Sequence, residues 1–199
     1  MFLKLAGRKC LVVGAGRIGE PKIESLLRAE AELRVIAPRA TKRVASLARA
    51  GRITWESRTF VPADLDDVFL VIAATNAPEV NHEIFREAER RRILCNVVDD
   101  PGHCDFYYPA VVHRGQLQIA ISTGGQSPSL AQRLRKELEE QFGPEYEPWV
   151  EQLGEARRQI LARPISPRRR KSLLHQLASE QSFSNRTGTA GGRQRRVVS

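Results

Sequence analysis

Apolar positions in the first hundred residues follow two alternating rhythms. Residues 9–13 (KCLVV) form a short apolar run that stops at Gly14, and Ile18, Ile23, Leu26 and Leu27 then recur at helical spacing up to Ala29. The pattern predicts a strand, a tight turn and a helix. Residues 33–36 predict a second strand. Residues 40–50, with Val44, Leu47 and Ala48 on one face and Gly51 as a stop, predict a second helix, and 53–56 a third strand. The stretch 69–74 (FLVIAA) is apolar throughout, as a central parallel strand covered on both faces requires. Pro78 opens a helix running to about Arg92, and 94–98 is the next strand. Strands alternating with helices at this spacing predict an α/β fold: a doubly wound parallel sheet of the Rossmann type with right-handed crossovers.

The rhythm changes after position 109. Residues 110–113 and 117–122 flank Arg114, Gly115 and Gln116 and read as a hairpin. Ser127 is an N-cap followed by Pro128 at the first helical position, and Leu130, Leu134 and Leu138 stripe the helix until Gly143-Pro144 ends it. Further helices are expected at 146–161 and 167–178. Beyond Ser179 the composition turns to Ser, Thr, Gly, Asn and Arg, with too few apolar residues to offset the entropy of ordering, so a disordered tail is expected. The organisation is then 1–112 for the Rossmann domain, 113–145 for a small α+β segment of hairpin and helix, 146–179 for a helical part and 180–199 for the tail.

Composition alters this picture mainly through charge. The net charge of +9 and pI near 10.1 suggest a polyanion partner, but the sole acid after position 160 is Glu180, against a series of basic residues from Arg163 to Arg196. Without that stretch the body is close to neutral. A basic disordered tail is commonly a solubility or weak polyanion feature, and specific nucleic-acid binding is not expected. Three cysteines, Cys10, Cys95 and Cys104, make neither a CxxC pair nor an even set, which suits a reducing cytosol. The N-terminal apolar stretch is short for a signal sequence, and no run of ~18 apolar residues offers a membrane span. A cytoplasmic protein without a membrane partner is expected.

Two stretches carry candidate chemistry. VVGAGRIG places Gly14, Gly16 and Gly19 as G-x-G-x-x-G after a strand and into a helix, the arrangement that lets backbone approach a dinucleotide's pyrophosphate at a helix N-terminus. The acid that usually holds the ribose about 20 residues on is missing. Ala37, Pro38 and Arg39 stand there, and Arg39 suits either a 2'-phosphate or solvent, which leaves NAD and NADP both open. NVVDDPGHCDFYYPA is the second stretch. Asp99, at the C-terminal end of a strand beside Val97 and Val98, has a setting that suits a general base, and Asp99-Asp100-Pro101 equally suits a plain turn. His103, Cys104 and Asp105 are metal-ligand types, but adjacent residues rarely converge on one ion and no second ligand pair stands at a usual spacing; no metal site is expected.

VVGAGRIG, VIAPR, IAATNAPEVN, CNVVDDPGHCDFYYPA and RGQLQIAISTGGQSPSLAQRLRKELE together resemble the precorrin-2 dehydrogenase and sirohydrochlorin ferrochelatase family, which includes the N-terminal module of siroheme synthase. The resemblance covers residues 2–161. It implies NAD-dependent oxidation of precorrin-2 to sirohydrochlorin in siroheme (tetrapyrrole) biosynthesis, with ferrous iron as a further substrate in members that chelate, and a homodimer formed through the hairpin and helix. It implies a stand-alone form, since no methyltransferase module follows.

By position, the resemblance makes Asp99 the catalytic aspartate. Gly14, Gly16, Arg17, Ile18 and Gly19, then Pro38 and Arg39, match cofactor-contacting positions, and Thr75 and Asn76 line the same cleft. Asp105, Phe106 and Pro109 become the lead-in to the hairpin and a wall of the substrate pocket. Thr123 lies where some members have a phosphorylatable serine. Because precorrin-2 carries many carboxylates, Arg114, Arg133, Arg135 and the helix start at Ser127 become candidates to bind them. The chain departs from the family's GGGxVAxRK with Gly19 for alanine and Pro21 for arginine. Two rival readings stand beside this one: a non-catalytic nucleotide-sensing domain, and a protein that is chiefly a chelatase.

Overall fold

The computed structural model describes residues 2–179 and 181–183. The chain divides into two compact units, the first ending at Tyr108 and the second beginning at Pro109. The first unit runs β1 (Lys9–Ala15), α1 (Gly19–Arg28), β2 (Glu32–Ala40), α2 (Lys42–Arg49), β3 (Thr54–Glu56), β4 (Leu70–Ala73), α3 (Pro78–Arg91) and β5 (Leu94–Val97). All five strands pair in parallel in the order β3-β2-β1-β4-β5. Alternate residues of each strand feed two cores. Val12, Val35 and Ile72 meet Ile23 and Leu26 of α1 and Val44 of α2 on one face. Leu11, Ile36, Val71 and Cys95 meet Ile84 and Ala88 of α3 on the other.

Strand β2 outruns its predicted end at residue 36, because Ala40 pairs with Ala15 across a register shift in β1. Thr41 then caps α2, its hydroxyl accepting the Val44 N–H at 3.2 Å and donating to Glu20 of α1. Helix α3 stops where Arg92 turns left-handed at φ 58°. A buried carboxylate, Asp64, ties the link between β3 and β4. It accepts from Arg58 at 2.5 and 2.8 Å and from the Val61 N–H at 2.9 Å, and Arg34 of β2 lies 3.5 Å away. Burial pushes the Asp64 carboxyl up, but the hydrogen bonds and positive charges of Arg58 and Arg34 outweigh it and leave the carboxyl below its ordinary value.

The second unit holds the antiparallel hairpin β6 (Ala110–Arg114) and β7 (Leu117–Ile121), then α4 (Pro128–Gln141), α5 (Tyr146–Leu161) and α6 (Pro167–Leu177). Its core is thin: among its described residues only Val112, Ala131 and Ile160 are buried. The tail expected from 180 onward lies outside the described residues except for 181–183, where the Phe183 ring packs on Tyr146 and Trp149 of α5 at 4.5 and 4.7 Å. No helix among the described residues is long and apolar enough to cross a membrane.

Candidate active site

Strand order reverses between β1 and β4, and in open parallel sheets the crevice outside the strand ends at such a point takes the ligand. Gly14 adopts φ 104°, and a β-carbon there would lie 2.2 Å from the Ala74 carbonyl oxygen. One at Gly19 would lie 2.2 Å from the Gly14 carbonyl, so α1 packs directly on the loop. Gly16 is different, with nothing within 4 Å of a β-carbon. That is open approach to backbone. Helix α1 begins without a capping side chain, since its N-cap is Ile18; the Glu20 N–H donates to the Gly16 carbonyl at 3.0 Å and Pro21 carries none, so the Gly19 N–H is the first-turn donor left for a ligand such as a diphosphate. These features fit a dinucleotide. Arg17 and Ile18 are exposed beside the loop, as are Pro38 and Arg39 at the end of β2.

The loop after β4 stands against the glycine loop through Ala74. Its Thr75 hydroxyl donates to the Asn81 side-chain oxygen at 2.7 Å, and the Asn81 amide donates back to the Thr75 carbonyl at 3.1 Å. Thr75 therefore shapes the loop, and Asn76 is its exposed residue. Asn81, buried in α3, escaped sequence reading; NAPEVN places it one turn into a proline-initiated helix, which is the signal that could have found it.

Asp99 lies exposed on the turn after β5 with a left-handed backbone, φ 63°. Its charge acts on Lys22, a half-buried lysine of α1 whose Nζ lies 3.8 Å from the centre of the Tyr108 ring. Burial lowers the Lys22 pKa, and the negative charge of Asp99 partly opposes that. Lys22 was also missed, although it ends the GAGRIGEPK block. Asp100 faces the opposite way in its bonding: its Oδ2 lies 2.8 Å from His103 Nδ1 and 3.2 Å from His82 Nε2. The His103 hydrogen bond, followed by that of His82, holds the Asp100 carboxyl below its ordinary value despite desolvation.

Beyond Asp100 the chain folds back along β5. Asp105 Oδ2 accepts the Cys95 N–H at 2.8 Å, the Asp105 N–H donates to the Cys95 carbonyl at 2.8 Å, and Asn96 donates to the Phe106 carbonyl at 2.8 Å. Cys104 Sγ donates to the Val97 and Asp100 carbonyls. Phe106 packs on the first core. Pro109 begins the second unit.

In the second unit, Arg114 donates to the Phe142 and Glu139 carbonyls at 2.8 and 3.0 Å and so caps the C-terminus of α4. The Thr123 hydroxyl accepts the Ser127 N–H at 3.0 Å across a loop in which Gly124 and Gly125 take φ 60° and 84°, and Ser127 in turn accepts the Leu130 N–H. Arg133 pairs with Glu137 on the exposed side of α4, and the half-buried Arg135 pairs with Glu139.

Residues 1–110 match a family profile of NAD(P)-binding domains, and residues 114–141 match the central region of a sirohaem biosynthesis protein. The chain belongs to this NAD(P)-binding family. It is 38% identical over 186 residues to siroheme synthase of Photorhabdus laumondii, covering 94% of this chain and 38% of that protein. Siroheme synthase 1 of Serratia proteamaculans is 41% identical over 172 residues, 85% of this chain and 36% of that protein. The chain thus spans little more than a third of the curated relatives' length. Over nearly its whole length it is similar to a solved structure, SirC, precorrin-2 dehydrogenase, with TM-score 0.78, 27% identity, and coverage of 96% of this chain and 98% of that one. The family resemblance read from the motifs and the α/β Rossmann fold read from the periodicity both hold. Pro21, a departure from the family motif, sits exposed in the first turn of α1, where a missing N–H removes no helical bond.

Proposed function

We propose that this chain oxidises precorrin-2 to sirohydrochlorin, a CH–CH dehydrogenation in siroheme biosynthesis, with NAD as the cofactor. The observation that carries the reading is the placement of Asp99: it follows β5 at the same end of the sheet as the glycine loop after β1 and the Thr75–Asn76 turn after β4. When bound, the dinucleotide supplies the hydride acceptor. Gly14, Gly16 and Gly19 admit its diphosphate, and Arg17, Ile18, Pro38, Arg39 and Asn76 flank it. Two hydrogens leave the substrate as a hydride and a proton, and the Asp99 carboxylate takes the proton. Lys22 is its charge partner. For the substrate's carboxylates the second unit offers the Thr123–Ser127 loop at the start of α4, together with Arg133. Arg114, Asp105 and Phe106 contribute through the fold of the segments they hold.

A second reading of the cofactor, NADP, is supported by Arg39. It is exposed at the end of β2, where no acid stands, and has no hydrogen bond or ion pair among the described residues. Incubation with precorrin-2 and either NAD or NADP, followed by absorbance of the reduced nicotinamide, separates the two. Turnover with NAD is expected. Cofactor binding without turnover on either dinucleotide would sink the dehydrogenase reading and leave the nucleotide-sensing one. Ferrous iron added after oxidation tests chelation, with Asp99 accepting the macrocycle's N–H protons.

We also propose a homodimer. The thin core of the second unit, with Leu117, Ile119 and Ile121 of β7 only half-buried, is what a hairpin covered by a second copy would show.

A further inference from the structure

We propose that His82, Asp100 and His103 form a binding site for one divalent first-row transition-metal ion. The inference does not depend on the dehydrogenase reading. His82 comes from α3, Asp100 from the turn after β5, and His103 from the short 3-10 turn Pro101–His103. Among the described residues this is the one group of three histidine, cysteine, aspartate or glutamate side chains whose ligand atoms lie within 4.8 Å of one another. Two imidazoles and a carboxylate are a donor set suited to zinc, cobalt or ferrous iron rather than to magnesium or calcium.

Two of the three ligand-atom separations are close to those around a bound ion, and all three lie within 4.8 Å. Metal–nitrogen and metal–oxygen bonds of about 2.0–2.2 Å set ligand atoms roughly 3.3 Å apart around a tetrahedral centre. His82 Nε2 already stands 3.2 Å from Asp100 Oδ2, and His103 Nδ1 at 2.8 Å needs only to swing outward by about half an ångström. The imidazoles lie 4.7 Å apart, and Phe85 abuts His103 edge-on at 4.8 Å, which restrains its ring. All three ligands are partly exposed, so remaining coordination positions are open to water. The adjacent Cys104 is turned away onto backbone carbonyls, and Asp105 onto Cys95, so neither joins the set.

Cobalt(II) chloride titrated into the full chain tests the site, followed by visible absorbance and calorimetry. One equivalent is expected to bind with d–d bands of nitrogen and oxygen ligation. His82→Ala and His103→Ala, at an exposed and a partly exposed side chain, are each expected to weaken binding at least ~10-fold, the lower end of the loss typical even of an outer-shell partner, with far-UV circular dichroism unchanged. Asp100→Asn should do the same. Failure of the wild-type chain to take up one equivalent overturns the proposal. So does binding of equal strength in the two histidine variants, or a sulfur-to-cobalt charge-transfer band that places the ion on a cysteine.

Discussion

Asp99 holds a backbone conformation that costs most L-residues about 1–2 kcal/mol and aspartate somewhat less. If the carboxylate is there for chemistry, relieving the backbone and removing the acid should separate. Asp99→Gly is expected to unfold at an equal or higher temperature while kcat falls by ~10²–10⁴, the usual worth of a positioned general base. Asp99→Asn should match that loss with unchanged cofactor affinity. Full turnover in either variant would remove Asp99 from the mechanism. Gly14 makes the opposite case. A methyl group there meets the Ala74 carbonyl and is strained by φ 104°, so Gly14→Ala should lose stability by more than about 1 kcal/mol and weaken dinucleotide binding, read by thermal unfolding with and without NAD. Gly16→Ala has room in the free protein and should lower only the affinity.

At the scale of elements, the knot of Asp64 with Arg58 and Arg34 joins β2 to the link between β3 and β4. Because the folded carboxyl titrates below its unfolded value, its stabilisation is complete above the ordinary carboxylate range and is lost as pH falls through that range toward the folded value. Melting temperature should drop on acidification below about pH 4 and show no pH dependence from Asp64 between about pH 6 and 8, where its stabilisation is full. Asp64→Asn should be less stable at neutral pH and converge on wild type in acid. A parallel pair of curves would exclude this source of acid sensitivity. Thr41→Ala, which removes the α2 cap, should cost about 1 kcal/mol by denaturant unfolding.

The order of elements was legible because period-two and period-3.6 patterns are local, and the glycine loop and the place of Asp99 follow from that order. The ends were less so. Where β2 stops depends on pairing with Ala15, and where α2 starts depends on the Thr41 cap. The partners of Asp100, Asn81, Lys22 and Asp105 were not legible, since each meets groups six or more residues away that only the fold brings near, apart from the His103 contact three residues on. Arg114 shows the same limit: a basic residue beside a turn reads as a ligand for carboxylates, and here it donates to backbone carbonyls at the end of α4.

For the whole molecule, the two units differ in how much they bury. The first has a core on each face of its sheet, while the second leaves most of its apolar side chains half-covered. Light scattering should therefore give twice the 22.3 kDa chain mass at micromolar concentration; a monomer would sink the dimer proposal. An open parallel sheet also has two margins at which a foreign strand can add. At one, β3 is only three residues long. At the other, the segment that carries Asp99 and Asp100 doubles back and occupies β5 through Cys95, Asn96 and Asp105. The stretch that carries the proposed general base is thus also the guard against strand addition. A lesion that loosens it, such as Asp105→Ala, exposes the molecule to self-association as well as idling it, so activity and solubility should decline together and not one by one.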